Sequence, residues 1–264
     1  MKRTPALELR NVSYNANGKT ILDSVNWTVQ LGEHWAILGP NGSGKTTLLR
    51  IASGYLWPNR GGVVLRNGKE LTHLPELRKS IGWVTAALVS EIPAQEKAIN
   101  TVVSGKFAQI GYLGGFWGQA SDYDYACARR YLKELDCDSV REQTFGTLSQ
   151  GEQQKVLIAR ARMTKPYLII LDEPCAGMDP GARENFLAAL GKIPGKKRTP
   201  ALIYVTHHIE EILPLFHKTL ILRDGRVLRA GTTIEILKPR VLHELYGAHF
   251  ALVRKKSRYW AIAE

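Results

Sequence analysis

The stretch Gly39-Pro-Asn-Gly-Ser-Gly-Lys-Thr-Thr47 constrains this chain more than any other. The apolar run Trp35-Ala-Ile-Leu38 in front of it reads as a buried strand, and Thr47-Leu-Leu-Arg-Ile-Ala52 behind it has helical spacing. The glycines therefore fall at a strand-to-helix turn, the context a phosphate-binding loop requires. Gly39, Gly42 and Gly44 let the backbone bend until successive N–H groups point inward, and the following helix adds the positive end of its dipole. In such a loop Lys45 reaches the terminal phosphates of a nucleotide, and Thr46 offers its hydroxyl to magnesium.

The remainder of the chain predicts the sheet that this turn needs. A half-exposed strand from Leu7 ends near Tyr14, Asn15-Ala-Asn-Gly18 turns, and two short strands follow at Thr20-Ile-Leu22 and Val25-Asn-Trp-Thr-Val29. Short strands before the first long helix suggest an antiparallel sheet beside the nucleotide-binding one. Further strands are expected at Val63-Val-Leu65 and Ile81-Gly-Trp-Val84. Residues 88–145 change character, with helical spacing over 98–109 and 123–135 around the aromatic loop Gly111-Tyr-Leu-Gly-Gly-Phe-Trp-Gly118. Phe116 and Trp117 there either face a partner or pack beneath the loop. Strand and helix then alternate through 153–206, as a parallel sheet with crossover helices demands. A hairpin over 219–228, a short helix and a basic tail close the chain. The expected domains are a nucleotide-binding core with its antiparallel subdomain (1–87 and 146–232), a helical insertion (88–145) and a C-terminal extension with a basic tail (233–264).

Tyr167-Leu-Ile-Ile-Leu-Asp-Glu-Pro174 is the second strong signal. A buried strand delivers two adjacent carboxylates at its C-terminal end, where a parallel sheet binds ligands. Neighbouring carboxylates repel unless a cation sits between them, so Asp172 is assigned to magnesium, through water, and Glu173 to polarising an attacking water. Leu148-Ser-Gln-Gly-Glu-Gln-Gln154 lies just before a helix, and Ser149 with Glu152 makes a capping box; the residues alone leave a functional role and a simple cap equally open.

Taken in order, the phosphate loop, the Leu-Ser-x-Gly-Glu segment, the strand ending in Asp172-Glu-Pro174 and Thr206-His207 resemble an ATP-binding-cassette (ABC) ATPase domain, from the strand before Tyr14 to about Gly231. The resemblance implies an α/β fold: a P-loop NTPase core with a mostly parallel sheet, an N-terminal antiparallel β-subdomain and an inserted α-helical subdomain. It implies that Tyr14 stacks on adenine, unless it is an ordinary strand-end tyrosine. It makes Gly39, Pro40, Asn41, Gly42, Ser43, Gly44, Lys45, Thr46 and Thr47 the phosphate loop of an ATP site, with Mg2+ held by Thr46 and Asp172. Ser149 and Gly151 match the signature that contacts the γ-phosphate bound by an opposite subunit, and Asp179 the aspartate that crosses between subunits. Glu173 resembles the catalytic carboxylate and His207 the switch histidine, with Lys45 completing the catalytic set. Hydrolysis shared in this way implies a homodimer arranged head to tail.

Departures from the family pattern stand beside these matches. Where the family places a glutamine after the strand at 81–84, this chain reads Thr85-Ala-Ala-Leu88. Gln150 and Glu152 replace the commoner signature residues, and Ala176-Gly-Met-Asp179 is a variant crossing loop. The missing amide bears on coupling to a partner, which in this family is most commonly a membrane-embedded transporter subunit.

Charge sets the alternative. A formal net charge of +12 and pI near 9.7 concentrate anions at the surface, and part of the excess sits in Lys196-Lys-Arg198 and Arg254-Lys-Lys-Ser-Arg258. A soluble ABC ATPase acting on nucleic acid or a protein complex is the competing expectation. Cys127, Cys137 and Cys175 have neither the number nor the spacing of a disulfide or zinc framework and read as partly buried reduced thiols. No apolar run approaches the ~18 residues of a membrane helix, and Met1-Lys-Arg-Thr-Pro5 lacks the apolar stretch expected of a signal peptide. The expected location is cytoplasmic, with a peripheral place at the inner face of the membrane through a partner.

Overall fold

The structure, a computed structural model, describes residues 4–70, 73–114, 118–193 and 200–264. Phe116, Trp117 and Lys196-Lys-Arg198, singled out above, lie outside the described residues. The elements run β1 (Leu7–Ala16), β2 (Lys19–Val29), β3 (His34–Leu38), α1 (Lys45–Ala52), β4 (Val63–Arg66), α2 (Leu74–Ser80) and β5 (Ile81–Thr85). Then come α3 (Ala86–Glu91), α4 (Ala98–Ser104), α5 (Asp122–Glu134), α6 (Gln150–Arg162), β6 (Leu168–Asp172) and α7 (Pro180–Leu190). The chain finishes with β7 (Ala201–Thr206), β8 (Lys218–Arg223), β9 (Arg226–Thr232), α8 (Thr233–Ile236), α9 (Pro239–Tyr246), β10 (Phe250–Lys255) and β11 (Arg258–Ala263). It divides into two compact units, residues 1–77 with 201–264, and residues 78–200.

In the first unit β1 pairs antiparallel with both β2 and β4. The two short strands expected over 20–29 are one strand. A bulge interrupts its pairing without ending it: the ladder slips between Leu9 and Val12 and again before Tyr14, Ser24 sits at φ 52°, and its N–H donates to the Ser13 hydroxyl at 2.9 Å. A second sheet carries β3 at its centre, parallel to β7 on one side and β8 on the other, with β9 antiparallel to β8. Every residue of β3 and β7 is buried, so these strands read as continuous apolar runs, and each buried aliphatic side chain is worth about 1.5–3 kcal/mol. Trp27 and Trp35 meet edge to face at 5.7 Å. The segment expected as a basic tail is ordered: β10 and β11 form a hairpin, and Lys256 and Ser257, in left-handed backbone, are its turn.

In the second unit β5 and β6 pair in parallel. The helices α3, α4 and α5 precede α6 and form the inserted helical subdomain. The helix expected over 98–109 is shorter: α4 stops at Ser104, tightens into a 3-10 turn and is turned out by Ala108 at φ 55°. Ser121 and Asp124 close a capping box on α5, and Arg162 of α6 donates to Glu134 of α5 at 2.6 Å. The α/β class with an antiparallel N-terminal sheet and a helical insertion is therefore observed.

Candidate nucleotide site

In the first unit the register of the central sheet decides which loops meet. Leu38 of β3 lies opposite Thr206 of β7, so the glycine-rich loop and His207 leave neighbouring strands at the same C-terminal edge. Gly39 is enforced by crowding: a Cβ there would stand 2.3 Å from the Leu222 carbonyl oxygen and 2.8 Å from Ser43 Oγ. Gly44, at φ 99°, is the N-cap of α1 and faces the Ile21 carbonyl, which a Cβ would approach to 2.8 Å. The β8–β9 turn braces the loop from outside, Gly225 N–H donating to the Ser43 carbonyl at 3.1 Å.

The loop's own chemistry fits an anion. No side chain caps α1 and its first turn holds no acidic residue, so the positive end of the helix faces the loop. The Ser43 hydroxyl is buried without a hydrogen-bond partner among the described residues, a polar atom whose cost a bound phosphate would remove. Lys45, 6% exposed, donates through Nζ to the carbonyls of Gly39 (2.8 Å) and Pro40 (3.0 Å), which holds its ammonium over the loop. Thr46 and Thr47 follow in the first turn of α1, Pro40 and Asn41 lie in the loop, and Gly42 takes φ 78°. Tyr14 is half-buried in β1 opposite Leu22.

His207 is exposed at the end of β7, its ring 4.2 Å from that of His208. The loop it begins rests on Glu211, a buried carboxylate that accepts from the Tyr204 hydroxyl (2.9 Å) and the Thr206 hydroxyl (2.7 Å). Thr206 Oγ1 accepts in turn from the His208 N–H at 2.9 Å. Sequence reading missed Glu211. The signal was present: Tyr204 and Thr206 share one face of an otherwise apolar buried strand, and such hydroxyls require a partner.

The second unit carries the acidic residues and the signature segment. Asp172 ends β6 opposite Thr85 of β5. Glu173 follows at φ 48°, a left-handed backbone that costs a residue with a side chain about 1–2 kcal/mol. Thr85, read above only as a departure, caps the unforeseen α3 by accepting from Leu88 N–H at 3.2 Å; a cap residue before Ala-Ala-Leu was the overlooked cue. Ser149 caps α6 in a full capping box, its N–H and hydroxyl donating to Glu152 Oε2 at 2.9 and 2.7 Å. Asp179 caps α7, accepting from the N–H groups of Gly181 (2.8 Å) and Ala182 (3.0 Å). The two caps are neighbours: buried Gly151 packs on the first turn of α7, and a Cβ on Gly177 would lie 3.3 Å from Gln150 Nε2. All three cysteines are buried thiols, and burial pushes Cys137 up to about 11, which keeps it protonated and unreactive. No helix among the described residues is long and apolar enough to cross a membrane.

Comparison with known proteins gives the family. The family model described as ABC transporter matches residues 22–176. The chain is 40% identical over 254 residues to the uncharacterized ABC transporter ATP-binding protein YlmA of Bacillus subtilis (strain 168), covering 96% of this chain and 95% of that one. Among solved structures, cbiO1 from Clostridium perfringens superposes with a TM-score of 0.78 at 24% identity, over 92% of this chain and 94% of that one. The dimeric post-hydrolysis state of the ATP-binding cassette MJ0796 bound to ADP and Pi does so at 0.69 and 26% identity, over 86% and 98%. A glycine-rich loop whose chemistry fits an anion and these matches lead to one conclusion: the chain belongs to the ABC transporter family and is a nucleotide-binding module that hydrolyses ATP.

Proposed function

We propose that two copies of this chain close head to tail around two ATP molecules, and that hydrolysis drives a membrane-embedded transporter subunit. The observation that carries the reading is similarity along nearly the whole chain to a protein named as an ABC transporter ATP-binding protein. The dimeric state of MJ0796 with ADP and Pi supports the pairing of copies.

Each residue then has a task. Tyr14 stacks on adenine. The loop from Gly39 to Thr47, through its N–H groups, Ser43 and Lys45, binds the phosphates and stabilises negative charge that builds on the transferring phosphoryl group. Ser149 and Gly151 of one copy contact the γ-phosphate held by the other, and Asp179 crosses between copies. Glu173 orients the attacking water and takes its proton, and His207 contacts the γ-phosphate. Thr46 and Asp172 are the residues that would hold Mg2+, which when bound supplies positive charge at the phosphates. Loss of the γ-phosphate removes contacts made to both copies and favours opening.

Glu173→Gln tests the chemistry. Turnover should fall about 100-fold or more while ATP affinity stays within a few-fold, because a side-chain amide accepts no proton. ATP should also accumulate the dimer in sedimentation. Turnover equal to the parent protein's would remove Glu173 from the mechanism. Cell fractionation tests the partner: recovery with a membrane protein in detergent extracts supports the transporter reading. Recovery in the soluble fraction with nucleic acid or a protein complex favours the soluble alternative, which the net charge of +12 and Thr85-Ala-Ala-Leu88 support.

A further inference from the structure

The loop that begins at His207 is held from two sides. From within, Glu211 ties it to β7 through Tyr204 and Thr206. From outside it is held by the C-terminal module. Arg258, the first residue of β11, places its guanidinium on the Glu210 carbonyl, with Nε at 3.0 Å and Nη2 at 2.5 Å. Tyr246, the last residue of α9, donates its hydroxyl to the His207 carbonyl at 3.5 Å. An open cleft of about 170 Å³ lies between the two, lined by His207, His208, Glu210, Tyr246, Phe250 and Ala261. A fork of two N–H donors on one carbonyl fixes direction as well as distance, so it restrains the backbone where the loop turns.

We propose that the C-terminal module is the seat of the His207 loop, and that Arg258 and Tyr246 are positioning residues for ATP hydrolysis that act through His207. The inference rests on the reading of His207 as a γ-phosphate contact. Its physical basis is that an exposed imidazole at the end of a strand holds a productive geometry only if its backbone is fixed, and a displacement of about 1 Å costs on the order of 100-fold in rate. A disturbance of the hairpin is passed to the loop as a backbone shift.

The test is a double-mutant cycle on ATPase activity. Arg258→Ala and Tyr246→Phe should each lower kcat about fivefold and leave KM for ATP within about twofold, the signature of an interaction that matters only in the transition state. Arg258→Lys, which restores a single donor, should recover part of the loss. In a His207→Ala background neither change should lower kcat further, because residues acting through one group are not additive. Hydrogen exchange at the amides of residues 208–211 should rise in both single variants. Tyr246→Phe removes one oxygen atom, so it reports even if Arg258→Ala does not fold. If His207→Ala alone leaves kcat unchanged, the role of His207 is wrong and the seat has nothing to position. If His207→Ala lowers kcat but Arg258→Ala and Tyr246→Phe do not, or if their losses multiply with it, the seat is wrong and the role of His207 stands.

Discussion

Lowering the pH should loosen this protein at His34, the first residue of β3. Its imidazole is 7% exposed, and Nδ1 accepts the N–H of Leu202 at 3.2 Å, a bond that only the neutral ring makes. Burial first, and then repulsion from His217, lower its pKa from 6.5 to about 4. The folded state therefore binds fewer protons than the unfolded chain between those values, and stability falls as pH drops through the window. Each pH unit of separation is worth about 1.4 kcal/mol, so the full loss is about 3 kcal/mol, of which about 2.5 kcal/mol is reached by about pH 4.5. The reference is His34→Asn, whose Oδ1 can accept from Leu202 and does not titrate. Urea unfolding at about pH 7.5 and about pH 4.5 measures both proteins, and the parent should lose about 2.5 kcal/mol more than the variant across that interval. Parallel losses would refute the argument. The bond at stake joins the start of β3 to β7, so the same protonation weakens the strand pair that presents both the phosphate loop and His207.

Two further outcomes follow from backbone geometry. Gly39→Ala forces a methyl against the Leu222 carbonyl, which cannot rotate away, and overpacking of this kind costs about 1–3 kcal/mol. A lowered melting temperature and an ATP affinity weakened about tenfold or more should appear together in thermal and fluorescence titrations, because the loop that shifts is the loop that binds. At Glu173 the sign reverses. Glu173→Gly should leave stability unchanged or raise it by up to about 1 kcal/mol, since relief of the left-handed strain at φ 48° exceeds or offsets glycine's entropic cost, while turnover is lost. Denaturant midpoints that fall in the variant would show the backbone there to be unstrained.

The elements legible in the sequence were those with a single dominant cause. The phosphate loop could be read because three glycines between an apolar run and a helical pattern leave few other conformations, and Gly39 and Gly44 prove to be pressed against carbonyls of neighbouring strands. The strand ending at Asp172 was legible because four apolar residues in a row fit a sheet buried on both faces. What escaped was set by competition between local and distant forces. The bulge at Ser24 breaks the alternation of β2 and divides it into two short runs, and only the Ser13 hydroxyl on the facing strand, which receives the Ser24 N–H, shows that the strand continues. The basic run at 254–258 reads as a tail by composition, yet Arg258 donates to the Glu210 carbonyl and the flanking Phe250, Tyr259 and Trp260 lie in a hairpin.

That last difference bears on function more than on fold. Charge counts treat every arginine as surface field, and a net charge of +12 argued for an anionic partner. Among the described residues, Arg66 donates to the carbonyls of Ala52 and Ile51, Arg160 to the Gln109 carbonyl at 2.7 Å, and Arg258 to that of Glu210. A guanidinium on a main-chain carbonyl fastens a loop or a helix end through the fixed fork of its N–H donors. Arg66 secures the end of α1, the helix whose other end faces the phosphate loop, and Arg258 the loop of His207. In the first unit, arginine side chains are thus among the contacts that fix the end of α1 and the loop after β7.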